Sequence, residues 1–254
     1  MWFYMAGMEA SLKEIQQDHC KFGLLSFYSL TQKNWPIILE HIDHILVDSG
    51  AYTFQRGKSV DFDEFVDRYY NFIRENTNNP KITGFFEMDI DNIVGYEKVL
   101  EYRRKLESVS DKIIPVWHGN RGIPDYIEMC KKYSGRRIAI TALGEDIDTG
   151  QYNLFINTAH KYGCKIHILG MTDKRMMEVL NLGKEDSFDS VGWKMAGAFA
   201  SIALWLNDNN HFMLAESMGR IAGVTSPNYN IINYHCFRRV QDYYVDIDRS
   251  LEIN

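Results

Sequence analysis

Short runs of apolar, β-favouring residues alternate along this chain with stretches whose apolar positions repeat at the helical period. The runs that predict strands are Trp2–Ala6, Gly23–Tyr28, Ile45–Asp48, Gly84–Asp89, Lys112–His118, Arg137–Leu143, Lys165–Leu169 and Ser187–Val191. Between them, the stretch Phe62–Asn76 places Phe62, Phe65, Val66, Tyr69, Tyr70 and Ile73 on one stripe, as a surface helix requires. Asp61 stands where it can cap that helix. Further helices are predicted over Ile93–Leu106, Pro124–Tyr133, Tyr152–Tyr162, Lys174–Leu182 and Trp193–Leu206. Pro36, just after Asn34, suits a first helical turn.

Most of these strands are continuously apolar, which points to a parallel sheet covered on both faces. Eight such units within 254 residues fit an α/β fold of the (β/α)₈ TIM-barrel type. The expectation is one domain over 1–254, with the barrel over about 1–206 and a C-terminal extension over 207–254. The aromatic and basic residues of that extension, Phe237, Arg238, Arg239, Tyr243 and Tyr244, predict a final packed segment. An open doubly wound sheet is the competing architecture, but no Gly-rich phosphate loop follows any strand.

Composition narrows this only slightly. The chain is 45% hydrophobic and 24% charged, as ordinary globular proteins are. A net charge of −6 argues against bulk coating of nucleic acid, though not against a local basic rim. The four cysteines, Cys20, Cys130, Cys164 and Cys236, form no ligand-like cluster and read as reduced thiols of a cytoplasmic protein. No apolar run reaches the length of a membrane span, and the opening residues read as a first strand rather than a signal peptide.

In this barrel class chemistry collects where strands end. Strand three ends in Asp48-Ser49-Gly50-Ala51-Tyr52, strand four in Asp89 and strand five in His118-Gly119. Strand six ends in Leu143-Gly144-Glu145, strand seven in Leu169-Gly170, and strand eight carries Asp189. Each has a plain structural alternative. An aspartate after a strand is most often a helix cap. Asp48 before Ser49-Gly50 can simply make a turn, and His118 can be a hydrogen-bonded core residue. Asp189 is hardest to dismiss, because a carboxylate in an apolar run is costly unless paired or used.

At these residues the chain resembles the tRNA-guanine transglycosylase superfamily, and within it the shorter phage-type enzymes that insert 7-deazaguanine bases into DNA. The segment Asp48-Ser49-Gly50-Ala51-Tyr52 is similar to their Asp-Ser-Gly-Gly-aromatic motif. Phe188-Asp189-Ser190-Val191 is similar to the Phe-Asp-Cys-Val segment around the nucleophile. Ser187 to Trp193 resembles the phage-type Ser-Val-Asp-Ser-Thr-Ser-Trp. Val116-Trp117-His118-Gly119 stands where the tRNA enzymes have Val-Gln-Gly, with histidine replacing glutamine. The resemblance spans about Ile45 to Trp193, with the motifs in order. The C-x-C-x-x-C…His cluster of the tRNA enzymes is missing, so no structural zinc, other metal or cofactor is expected, and DNA is favoured over tRNA.

What the resemblance implies is a glycosyltransferase that replaces guanine with a 7-deazaguanine such as preQ0, through a covalent intermediate on Asp189. Asp48 would be the general acid. Ser49, Gly50, Asp89, His118, Gly119, Leu143, Gly144, Glu145 and Gly170 would surround the base, with Tyr52 and Leu169 sandwiching the ring. Arg56, Lys58, Arg121, Lys174, Arg175 and Lys194 would meet nucleic-acid phosphates. A homodimer or helper proteins are compatible with this, as is residence in a host's cytoplasm if a phage encodes the chain. The alternatives are an RNA-acting transglycosylase, a non-catalytic partner subunit, and a metal-dependent barrel hydrolase using His118, His167 and Asp189.

Overall fold

Nine parallel strands form one curled sheet: β1 (Trp2–Ala6), β2 (Cys20–Ser26), β3 (Ile42–Asp48), β4 (Ile82–Phe86), β5 (Ile113–Ile114), β6 (Val116–Trp117), β7 (Arg137–Thr141), β8 (Lys165–Leu169) and β9 (Ser187–Ser190). The computed structural model describes residues 1–58, 60–141, 151–171, 180–199, 203–206, 211–214 and 226–252. Strand order is β5-β4-β3-β2-β1-β9-β8-β7-β6. The two ends of that order, β5 and β6, flank Pro115 and are halves of one interrupted strand. The sheet therefore curls into a nearly closed (β/α)₈-type barrel of eight strand positions.

Helices connect the strands: α1 (Leu12–Gln17), α2 (Trp35–His41), α3 (Ala51–Gln55), α4 (Phe62–Asn76), α5 (Asp91–Val94), α6 (Tyr96–Glu107), α7 (Gly122–Lys132), α8 (Tyr152–Lys161), α9 (Gly192–Ala198) and α10 (Ser226–Glu252). Helix α4 shows why the pattern works. Its stripe buries Phe65, Val66, Tyr69 and Ile73, and the Asp61 carboxylate caps it by accepting the Glu64 N–H at 3.0 Å. Tyr69 then pins the helix to the sheet, donating its hydroxyl to the carbonyls of Val47 (3.1 Å) and Phe86 (2.9 Å).

Strand alternation separates two apolar cores. One residue set, including Phe3, Met5, Ile45, Val47, Trp117, Ile138, Ile140, Ile166, Ile168 and Phe188, packs with the helices. The other, Tyr4, Ala6, Phe22, Leu24, Leu46, Phe86, Ile114, Val116 and Ala139, fills the barrel. The C-terminal segment belongs to the outer layer. From α10, the Gln241 amide donates to the carbonyls of Phe3 (3.0 Å) and Phe22 (2.6 Å) and accepts the Lys21 N–H at 3.2 Å.

Three sequence expectations need correction. The helix expected over Trp193–Leu206 ends at Ala198, and Ala203–Leu206 is a strand, β10, pairing antiparallel with β11 (His211–Leu214). The β-favouring Leu204-Trp205-Leu206 finds Met213, Phe212 and His211 as cross-strand partners, so pairing overrides helical spacing. The helix expected over Ile93–Leu106 is broken at Gly95, whose φ of 84° leaves the helical region, into α5 and α6. The strand expected over Lys112–His118 is interrupted at Pro115, which has no N–H for the ladder. Much of the Lys174–Leu182 helix lies outside the described residues. No helix among the described residues is long and apolar enough to cross a membrane.

The interruption at Pro115 exposes a backbone problem that a side chain solves. Val116 is buried, and its N–H donates to the Glu87 carboxylate at 2.5 Å rather than to a strand carbonyl. Glu87 in turn receives a two-pronged contact from Arg103 of α6, at 2.5 and 2.8 Å. Both side chains are nearly fully buried, so each charge depends on the other. Replacing Arg103→Met should destabilise the protein by about 3–5 kcal/mol, the usual cost of orphaning a buried charge. Adding Glu87→Gln to that variant should recover part of the loss. Urea titration of wild type, single and double variants checks this, and an additive double variant would refute it.

Candidate active site

The alternation that fills the barrel also decides which side chains reach its C-terminal mouth. Inward positions Leu46, Val116 and Ser187 are followed two residues later by Asp48, His118 and Asp189. Asp89 lies just beyond β4, and Gly170 just beyond β8. Glu9, in the turn after β1, is a buried acid that the sequence reading passed over. Its signal in the sequence is its place, three residues beyond the end of β1, where the other strand-end acids also stand.

Asp189 is 6% exposed and is held from two sides. Its Oδ1 accepts the Gly170 N–H at 2.9 Å and contacts His167 Nε2 at 3.1 Å. His167 is wholly buried, with its Nδ1 2.8 Å from Ser187 Oγ and the rings of Tyr4 and Phe86 against its edges. Burial lowers the His167 pKa and so disfavours the charged ring, against the pull of Asp189. His167, a candidate metal ligand in the sequence, contacts the Asp189 carboxylate here.

Asp48 ends β3 and does make the turn that its plain reading anticipates: its Oδ2 accepts the Gly50 N–H at 3.1 Å. Gly50 has φ of 95°, and a Cβ there would collide with Tyr28 Cβ and lie 3.0 Å from Ser26 Oγ. Glycine is therefore dictated by the turn. The turn does not exhaust Asp48. Burial, reinforced by the charges of Asp89, Asp189 and Glu9 and only partly offset by the Gly50 N–H, pushes its pKa up to about 7. Glu9 is likewise raised by burial, although it accepts the Ser26 N–H at 3.2 Å and has the Lys194 charge nearby.

Across the mouth, His118 Nε2 contacts Asp89 Oδ1. Burial opposes charging the imidazole, but the hydrogen bond and charge of Asp89, with Asp91 behind it, outweigh this and lift the His118 pKa to about 9. His118 is thus an imidazolium at neutral pH, a donor at both ring nitrogens. The Gln55 amide donates to the Asp89 carbonyl at 2.9 Å, joining α3 to this pair.

The remaining candidates distribute unevenly. Ser49 is wholly buried, with a hydroxyl that has no hydrogen-bond partner among the described residues. Tyr52 is 58% exposed, with the Arg56 guanidinium over its ring at 5.8 Å; Lys58 is exposed nearby. Leu169 is half-buried against the barrel interior. Gly119 opens a 3₁₀ turn. Arg121 turns inward: it donates to the Val116 carbonyl, stacks on Tyr96 at 4.4 Å and lies 3.9 Å from Asp91. Lys194 reaches the Gly7 carbonyl and Ser11 Oγ, both at 3.4 Å. Leu143, Gly144, Glu145, Lys174 and Arg175 lie outside the described residues.

One group among the described residues has a donor set suited to a cation. Ligand atoms of Asp89, Asp91 and His118 lie within 4.8 Å of one another. Two carboxylates and an imidazole suit a divalent ion, but His118 is already paired with Asp89 and Arg121 supplies positive charge beside Asp91. No protein-family profile and no curated protein matches this chain.

The Asp48 environment predicts a pH signature. Its carboxyl is raised from 3.8 to about 7 in the folded protein, so folded protein binds a proton that unfolded chain has released. The group's contribution to stability must therefore fall as pH rises through that window, and stay low above it. Asp48→Asn keeps an acceptor for Gly50 and removes the charge. It should raise the melting temperature relative to wild type more at pH 8 than at pH 5. An equal change at both pH values would contradict the crowding of carboxylates described here.

Proposed function

We propose that this protein is a base-exchange transglycosylase, replacing guanine in DNA with a 7-deazaguanine through a covalent glycosyl–Asp189 intermediate. The observation that carries the proposal is the pairing of two unlike carboxyls at one mouth. Asp189 has one oxygen held by His167 and Gly170, while Asp48 is poised near pH 7 among other acids. Unlike environments for neighbouring carboxyls are what divide acid from nucleophile in glycosyl transfer. The motif resemblance at Asp48-Ser49-Gly50 and Phe188-Asp189-Ser190-Val191 adds the substrate class.

An Asp189 oxygen bonds to the anomeric carbon as the bond from that carbon to guanine breaks. The departing purine keeps the bonding pair and takes a proton from Asp48. The incoming 7-deazaguanine gives a proton to Asp48, and its ring nitrogen displaces Asp189. Atoms and protons balance over the cycle, and no redox partner is needed. Asp89 accepts from the donor edge of the base, and the His118 imidazolium donates to its carbonyl oxygen. Tyr52, exposed at the rim, offers a stacking face for a base that has left the duplex.

A metal-dependent hydrolase is the second reading, favoured by the Asp89, Asp91 and His118 group. Elemental analysis of the purified protein separates the two: stoichiometric divalent metal supports the hydrolase.

Incubating the protein with DNA, and separately with tRNA, in the presence of a 7-deazaguanine panel should yield modified DNA nucleosides, read by mass spectrometry of the digest. Asp189→Asn should abolish incorporation while leaving the melting temperature near that of wild type. Incorporation at the wild-type rate in that variant would overturn the nucleophile assignment, and modified tRNA with unmodified DNA would transfer the proposal to RNA.

A further inference from the structure

We infer that Ser187, His167 and Asp189 form a relay in which His167 is a positioning residue, aiming one oxygen of Asp189 at the substrate. The inference rests on the base-exchange reading and names a part of the site that the motif resemblance does not assign. Three observations support it. First, His167 and Ser187 face each other across paired strands, β8 and β9, at one register position, so their side chains share the barrel interior. Second, the ring nitrogens have separate partners, Ser187 Oγ at 2.8 Å and Asp189 Oδ1 at 3.1 Å. Third, the ring is wholly buried between Tyr4 and Phe86, at centroid distances of 6.0 and 5.1 Å, and cannot turn without displacing them.

These contacts set the tautomer. The Ser187 hydroxyl can both donate and accept, whereas an ionised carboxylate only accepts. A neutral ring therefore carries its proton on Nε2, facing Asp189, and takes the Ser187 proton at Nδ1. Burial favours that neutral form. The Gly170 N–H reaches the same Asp189 oxygen. With Oδ1 held by two donors, Oδ2 is left as the oxygen directed to the reacting carbon. A carboxylate otherwise free to rotate becomes a fixed nucleophile, and orientation of this kind is worth large factors in rate.

The test is a set of replacements at one position. Glutamine places an amide N–H near Nε2, asparagine places it near Nδ1, and leucine supplies none. Base-exchange kcat should fall on the order of 10²-fold in His167→Leu and His167→Asn, with KM for the incoming base little changed. His167→Gln should recover most of kcat. Ser187→Ala, a milder change to the core, should lower kcat in the same direction. Equal losses in the glutamine and asparagine variants, or a leucine variant as active as wild type, would overturn the relay.

Nitrogen-15 spectra of the histidine rings keep this test separate from the functional proposal. They should show His167 as the neutral Nε2–H tautomer at pH 7, with that signal moved by Asp189→Asn. A charged ring or the Nδ1–H tautomer would refute the relay whatever reaction the protein catalyses. A wild type that exchanges no base, but shows the expected tautomer, would refute the reaction and leave the pairing intact.

Discussion

Glu9, Asp48, Asp89 and Asp189 share one half-dry mouth, where every ionised carboxylate raises the cost of the next. Four charges of one sign cannot stand there without relief, and each acid has its own. Asp89 pairs with the His118 imidazolium. Asp189 accepts the Gly170 N–H and contacts the buried ring of His167. Glu9 has the Ser26 N–H and the nearby Lys194 charge. Asp48 has one backbone N–H and three acidic neighbours, and its relief is to hold a proton up to about pH 7. The division of labour proposed for the site follows from that unequal relief.

The placement of these acids was legible in the sequence to the extent that strands and their parity were. Two acids interrupt apolar runs, Glu87 in Phe85-Phe86-Glu87-Met88 and Asp189 in Phe188-Asp189-Ser190-Val191. Both are buried, yet they meet different surroundings. Glu87 meets Arg103 of α6 and mends the ladder at Pro115, a structural task. Asp189 sits at the position paired with Tyr4, which fills the barrel interior. Local pattern marks such a residue as costly; only its face of the strand separates scaffold from site.

Other features were hidden for physical reasons. His167, between Ile166 and Ile168, is inward by simple alternation, but its partner Ser187 belongs to another strand, so the pair exists only after folding. The break between α5 and α6 depends on one glycine, Gly95, within an otherwise helical pattern. The β10–β11 pairing depends on a cross-strand partner that helical periodicity cannot show. Arg121 looked like a rim cation because it follows a strand, yet Tyr96, Asp91 and Asp125 draw it inward. Contacts between elements decide the His167, β10–β11 and Arg121 features, and spacing along the chain does not record them; the Gly95 break is local and rests on one residue's backbone conformation.

In the proposed reaction Asp189 becomes covalently bonded to a sugar. Denaturing the protein during incubation with guanine-containing DNA, then digesting both and mapping peptides by mass spectrometry, tests this directly. A deoxyribonucleotide remnant lacking its base should be attached to the peptide that contains Asp189. A remnant on Asp48 or Asp89, or base exchange with no adduct on Asp189, would contradict it.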